Sequence, residues 1–390
     1  MLLVFCTADH GGLADYAHAQ CEALAQRGCA VLLLAPRGFP FRSNLYQQLP
    51  LPGPKPKSTH GHRQQQLVTA LSILYQQNAL NRALGSTSAR QVLFTTYSEY
   101  LAPLWAWRLR RWRSRGVRFA AVVHDPVRDF VVGPRWWHRF SIAQGYSFLD
   151  VALLHAPIQL DTASPQPQLR MRVIPIGPFR YPAASCEAAE LRHRLAIPPQ
   201  ATLLLSFGHI RNNKNLQLIL QAMAELPELW LLVAGPEATA GQQPSAHYRQ
   251  LAEQLGVAHR CRWQISYQSP EQVANHFTAS DAVLLTYSGA FRSASGVLHL
   301  AAHYRKTMIA SAGASALLDT VRAFNLGVVV QADDATALVD GIHHWLRHPP
   351  APDWQGYEAA NSWERNAELV AQEMGLEASH QPSDCSAFSL

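Results

Sequence analysis

The stretch that most constrains the fold runs from Leu204 to Glu237. It reads Leu204-Leu205-Ser206-Phe207-Gly208-His209-Ile210-Arg211-Asn212-Asn213-Lys214-Asn215, then a helical run, then Trp230-Leu231-Leu232-Val233-Ala234-Gly235-Pro236-Glu237. That order is strand, glycine turn, basic residues, helix, strand, glycine turn. Short unbroken apolar strands separated by a helix belong to a parallel sheet covered on both faces. Gly208, with no Cβ, lets the backbone come close to a ligand. Arg211 and Lys214 follow near a helix start, where unpaired N–H groups already favour an anion. Together they suit a diphosphate, and the competing reading is a solvated helix start.

The rest of the chain repeats this alternation. Leu2–Thr7 reads as a buried strand, His10-Gly11-Gly12-Leu13-Ala14 as a turn, Asp15–Arg27 as a helix capped by Gly28, and Val31–Ala35 as the next strand. Further strands are expected at Gln91–Thr95, Phe119–Val123, Val151–Leu154 and Arg172–Pro175, with a helix at Leu101–Arg115. Residues 36–66, rich in Pro, Gly, Gln and His, read as a long mobile loop near the ligand face, followed by a helix at 67–84. After the hinge-like Pro175-Ile176-Gly177-Pro178, a second series begins near 201. Its strands are Leu203–Phe207, Trp230–Ala234, Cys261–Gln264, Ala282–Thr286, Thr307–Ala310 and Gly327–Val330, with helices in the intervals. The expectation is an α/β protein of two facing doubly wound, Rossmann-like domains, 1–176 and 177–354. A helix over 355–376 crosses back to the first, and 377–390 forms a flexible tail.

At 390 residues and 48% apolar content, the chain can build two full cores. A net charge of +6 points to anionic partners. The six cysteines form no C-x-x-C pair, which fits a reducing compartment. The first residues lack the basic leader and apolar length of a signal peptide, and no run is long enough to span a membrane, so the expected location is cytoplasmic. Ligands of open α/β sheets bind beyond the carboxyl ends of the strands. The glycine turns at 11–12, 208, 235 and 289 are therefore expected to face one cleft. No G-x-G-x-x-G, P-loop or H-E-x-x-H occurs.

Six segments in order resemble family 4 glycosyltransferases of the GT-B fold. They are His10–Tyr16, His124-Asp125-Pro126, Val173–Gly177, Gly208 through Lys214, Ser280–Tyr287 and Ser362-Trp363-Glu364-Arg365. The resemblance covers nearly the whole chain. It implies transfer of a sugar from a nucleotide diphosphate donor to a glycan, lipid-linked or small-molecule acceptor, with retention at the anomeric carbon. It places the nucleotide in the second domain and the acceptor in the first. Arg211 and Lys214 would stabilise charge building on the leaving diphosphate, a role fixed cations can fill without a metal or other cofactor. His10, Gly11, Gly12, Gly208, Gly235 and Tyr287 would line the donor. His124 would bond a sugar hydroxyl, or else stand as a rim residue. Asp125 would orient His124 or the acceptor, or cap a turn.

One departure matters. Aligning Gly296 with the family glycine puts Ser293 and Ala301 where the family carries its E-x7-E glutamates. Ser293, Ser295 and the N–H groups of Gly296 and Val297 are then the expected replacements. Two outcomes stay open: an altered but active site, or a catalytically silent homologue acting as a partner or scaffold in glycan assembly. A nucleotide-sugar epimerase is a third and weaker reading.

Leu101–Arg115 holds three Trp and five Arg with no acidic residue, and Arg135-Trp136-Trp137-His138-Arg139-Phe140 adds to it. Ordinary amphipathic packing on the sheet explains the apolar face. The arginine excess suggests a basic, aromatic surface at an anionic membrane, through Trp105, Arg108, Trp112 and Trp136. That would be the inner face of the membrane. No nucleic-acid module is present.

Overall fold

The computed structural model describes residues 1–376, except 54–61, 125, 127–130, 132, 161, 163, 165, 180 and 239–240. The chain divides into two units. The first holds Met1–Ile176 and returns from Ser362; the second holds Gly177–Asn361.

The first unit runs β1 (Leu2–Phe5), α1 (Gly12–Gln26), β2 (Val31–Pro36), β3 (Gln47–Leu51), α2 (His62–Ser86), β4 (Gln91–Phe94), α3 (Ala102–Ser114), β5 (Arg118–Val122), α4 (Arg135–Tyr146), β6 (Val151–Leu154) and β7 (Arg170–Val173). Its seven strands are parallel, in the order β3-β2-β1-β4-β5-β6-β7. Leu3, Phe5, Val92, Phe94, Phe119 and Leu154 pack on one face against Leu80, Trp105, Leu109, Ile142 and Tyr146 from α2, α3 and α4.

The second unit runs α5 (Ala188–Arg194), β8 (Thr202–Phe207), α6 (Leu216–Glu225), β9 (Leu229–Ala234), α7 (Ser245–Gln254), β10 (Cys261–Gln264), α8 (Pro270–Ala279), β11 (Ala282–Thr286), α9 (Gly296–His303), β12 (Thr307–Ser311), α10 (Ala316–Ala323), β13 (Gly327–Val329), α11 (Ala335–Arg347) and α12 (Trp354–Ala360). Its six strands are parallel, in the order β10-β9-β8-β11-β12-β13. Both faces are buried, as unbroken runs such as Leu203–Leu205 require: α8, α9 and α10 cover one, and α6, α7 and α11 the other.

The last helix, α13 (Trp363–Met374), packs on α1 in the first unit. Asn366 donates to Pro175 O (2.7 Å) and Tyr16 Oη (3.1 Å), and accepts from Gln20 Nε2 (2.9 Å). The expected crossing segment over 355–376 is therefore divided. Residues up to Asn361 stay with the second unit, because Tyr357 of α12 is buried in that core and bonded to His299 Nδ1 (2.6 Å).

Two local expectations fail. Residues 36–66 are not one long loop: Gln47–Leu51 pairs with β2 from Leu32↔Gln47 to Pro36↔Leu51. Its mostly exposed side chains carry no apolar pattern, and Pro50 is tolerated because the strand is an edge. The helix α4 was also not expected. It begins after Pro134, and its inward side is Ile142, Ala143 and Tyr146. The expected residues 377–390 and 54–61 lie outside the described residues.

Candidate functional site

In both sheets the order reverses beside the first strand, at β1/β4 and β8/β11. These are the topological switch points where ligands of open α/β sheets bind.

At the second of these, two glycine turns press together. Gly208 has φ +92° and its N–H donates to Ala234 O (2.9 Å). Gly235 has φ +142°, and a Cβ there would fall 2.4 Å from Gly208 O. A side chain at Gly235 would have to move the turn, and one at Gly208 would have to displace the Lys214 ammonium and hold a strained φ. Ile210 N–H then donates to Pro236 O (3.0 Å), which holds the segment leading to Arg211.

Lys214 ends a single 3-10 turn, Asn212–Lys214, and turns its ammonium back to donate to Phe207 O. The Nζ sits over Gly208: a Cβ at that glycine would be 3.0 Å from Nζ and 3.7 Å from Val297 Cγ2. Burial, with the nearby Arg211 charge, pushes the Lys214 ammonium down to about 7. Among the described residues no carboxylate pairs with it. Arg211 is exposed and extended, and its charge also reaches Tyr287.

The loops after β8 and β11 are tied to each other. Thr286 Oγ1 donates to Lys214 O (3.0 Å), and Ser288 N–H to Asn213 O (2.8 Å). Buried Tyr287 stacks on Phe291 at 4.0 Å, and its hydroxyl lies 3.0 Å from Ser295 Oγ. Ser295 is thus spent on Tyr287 and makes no side-chain cap on α9. The N–H groups of Gly296 and Val297 stand ahead of the intrahelical ladder. Gly296 is exposed, with nothing within 4 Å of a Cβ built there. Ser293 is half-buried, and Ala301 is wholly buried among the core side chains of α9.

Two residues here were missed or misread from the sequence. Asn215 adopts the left-handed region (φ +52°) before α6 and donates to Asp333 Oδ1 (2.8 Å). The other Asp333 oxygen accepts from Gly289 N–H (2.7 Å). Of the adjacent acids Asp333 and Asp334, only Asp334 caps α11, accepting from Ala337 N–H (3.0 Å). Asp333 locks two loops together. The one sequence signal was an acid just before a helix, which cannot tell these roles apart.

The first unit holds the remaining candidates. Gly11 (φ +74°) precedes α1, and Gly12 opens it; neither has an atom within 4 Å of a built Cβ. His10 is exposed, with Nδ1 2.5 Å from Asp9 Oδ1. His124 follows β5. Its Nε2 donates to Thr95 O (3.0 Å), which fixes the tautomer, and its ring meets Tyr16 edge-on at 4.9 Å. Asp125 lies outside the described residues.

The membrane set needs correction. Trp105 is 1% exposed and sits in the sheet-facing core with Leu109, as the helical repeat of α3 dictates. Trp112 is half-buried and donates to Asn81 Oδ1 (2.8 Å), and Arg108 donates to Asn78 Oδ1. Of the four, only Trp136 is freely exposed. The outward side chains of α3 and α4 instead include Leu104, Trp107, Arg111, Trp136 and Phe140. Among the described residues no helix is long and apolar enough to cross a membrane, and no three metal-binding side chains come together.

Two doubly wound parallel units, with the last helix returning to the first, define the GT-B fold. Comparison with known proteins agrees. Sucrose-phosphate synthase from Thermosynechococcus elongatus superposes with a TM-score of 0.67 at 17% identity, over 95% of this chain and 98% of that one. Anabaena HepE in complex with UDP and glucose gives 0.67 at 13% identity, over 96% and 99%. The sequence model described as "Glycosyl transferases group 1" matches residues 187–369. D-inositol 3-phosphate glycosyltransferase of Corynebacterium diphtheriae is 25% identical over 217 residues, 52% of this chain and 49% of that protein. The enzyme of that name from Mycobacterium sp. (strain KMS) is 28% identical over 166 residues, 42% and 37%. The chain spans less than half the length of these curated relatives.

Proposed function

We propose that the protein is a glycosyltransferase that takes a sugar from a nucleotide diphosphate donor, with the donor bound in the second unit. One observation carries the reading. Half-buried Lys214 holds its ammonium over Gly208, at the switch point, and among the described residues no carboxylate pairs with it. A diphosphate supplies that missing charge. Arg211 and the first-turn N–H groups of α9 add donors around it. As the bond to the sugar breaks, charge grows on the leaving diphosphate, and these fixed cations favour that state over the bound substrate. They do so without a protein-bound metal. Retention at the anomeric carbon, with His124 near the sugar, is the mechanism that the resemblance favours. The acceptor is a glycan, a lipid-linked sugar or a small molecule.

Ala301 favours a second reading. Its position is closed by core packing, so no side chain there can take over the role of a glutamate. A silent homologue that binds nucleotide and transfers nothing would fit. Calorimetry with UDP-glucose, with which Anabaena HepE, a protein of this fold, has been solved in complex, tests both. Wild type should bind, and Arg211→Ala/Lys214→Ala should lose about 100-fold or more, from contacts worth roughly 1.5–3 kcal/mol each. Unchanged affinity in the double variant sinks the donor assignment. Binding across a donor panel with neither transfer nor hydrolysis selects the silent reading.

We also propose peripheral contact with an anionic membrane at the inner face, through Trp136, Trp107, Phe140 and Arg111 rather than Trp105. Sedimentation with anionic vesicles should retain the wild type and release Trp107→Ala/Trp136→Ala. Equal sedimentation would exclude this surface.

A further inference from the structure

A cavity of about 460 Å³ opens in the first unit, lined by Arg37, Arg42, Ser43, Tyr46, Gln48 and Pro50. It lies past the carboxyl end of β2 and along the edge strand β3, where Gln48 and Pro50 point to the same side. Its size suits a monosaccharide-sized ligand. The edge strand that forms it, Gln47–Leu51, has mostly exposed side chains.

The lining is cationic and hydroxylic. Arg37 is exposed and makes no hydrogen bond or ion pair among the described residues. Arg42 is fixed through one nitrogen, Nη1, which donates to Phe39 O (3.3 Å), Phe41 O (2.9 Å) and Gln48 Oε1 (3.0 Å). Its other edge is left for a ligand. No carboxylate pairs with either arginine among the described residues. Glu22, behind the lining, accepts from Ser43 Oγ (2.8 Å) and lies 3.6 Å from His18 Nε2. His18 in turn stacks on Phe41 at 4.4 Å and bonds Tyr46 Oη (2.9 Å). This second layer holds the loop between β2 and β3 in shape. Two guanidinium groups without counter-ions, in a preformed concave site, match a phosphate or a carboxylate.

We propose that this cavity binds an anionic group, phosphate or carboxylate, carried by the sugar acceptor. The inference rests on the transferase reading for the word acceptor, but its anion chemistry stands on the cavity alone. The test is calorimetry with glucose 6-phosphate, glucuronate, inorganic phosphate and glucose. It is run with UDP saturating the donor site, and again in the Arg211→Ala/Lys214→Ala chain, so that no anion is scored at Lys214. The expected result is binding of both anionic sugars at least tenfold tighter than glucose. Arg37→Gln should weaken that binding about tenfold or more and leave UDP-glucose affinity unchanged. Arg42→Gln should weaken it too, but Arg42 also braces the loop, so Arg37→Gln decides. Equal affinity in Arg37→Gln and wild type, or anionic sugars bound no better than glucose, overturns the proposal. Inorganic phosphate bound as tightly as glucose 6-phosphate, with the same Arg37 dependence, overturns the acceptor assignment and makes the cavity an effector site. Should UDP-glucose not bind while glucose 6-phosphate still depends on Arg37, the donor reading fails and the anion site stands.

Discussion

The two units each start with a strand, a glycine turn and a helix, yet the two turns are built differently. After β1, Gly11 and Gly12 have open space where a Cβ would be, and His10 projects into solvent. After β8, Gly208 is wedged against Gly235 and roofed by Lys214. The first turn is open, and the charge beside it is an exposed Asp9–His10 pair. The second is a packed cradle that confines a cation before any ligand arrives. Preorganised charge of this kind needs no rearrangement when a diphosphate binds, which is where such sites gain their strength.

The largest expected effect comes from closing the packed turn. Gly235→Ala puts a methyl 2.4 Å from Gly208 O at a φ that alanine avoids. It should destabilise the protein by about 3 kcal/mol or more, the upper range for backbone strain plus overpacking. Urea melts would show this, and a change below about 1 kcal/mol would mean that the two turns are not mutually fixed.

Next is Gly296→Val. The Cβ at that position meets nothing, so the fold should hold. UDP-glucose affinity should nevertheless fall tenfold or more, because the side chain would enter the space assigned to the phosphates. Retained affinity would move the ligand away from the start of α9.

The confined charge also gives a pH signature. With free Lys214 titrating near 7, the ammonium is present below that pH and lost above it. Affinity for UDP-glucose should be flat on the acid side and fall up to about tenfold per unit from pH 7 to 9, with proton uptake on binding. Without nucleotide, stability should rise over pH 7 to 10.5, where only the unfolded chain still holds the proton. A pH-independent affinity in wild type, or an unchanged slope in Lys214→Met, would remove Lys214 from the phosphate site.

The smallest effect belongs to the open turn. Gly12→Ala lies in the first turn of α1 with free space around it. Stability should change by no more than about 1 kcal/mol, toward greater stability. A loss as large as that of Gly235→Ala would erase the contrast between the two turns.

The sequence by itself determined the alternation of strands and helices and the two parallel sheets. Unbroken apolar runs such as Leu203–Leu205 and Leu2–Phe5 have no other stable use in water than burial on both faces. It also brought out Gly208, Arg211 and Lys214, because glycine turns and cations before a helix are local signals. Tertiary structure decided everything that depends on what a residue meets. The strand Gln47–Leu51 exists only because β2 offers an open edge, and its own residues carry no strand pattern. Trp136 and Trp137 are adjacent aromatics of one helix, and packing left the first in solvent while the second is half-buried and donates to Tyr100 O (3.1 Å). Asp333 and Asp334 are adjacent acids, and only the approach of Asn215 and Gly289 made the first a tie between loops. Propensity and periodicity act over a few residues along the chain. The cavity beside Arg37 and the roof that Lys214 forms over Gly208 are set by contacts between segments, and no local pattern encodes those.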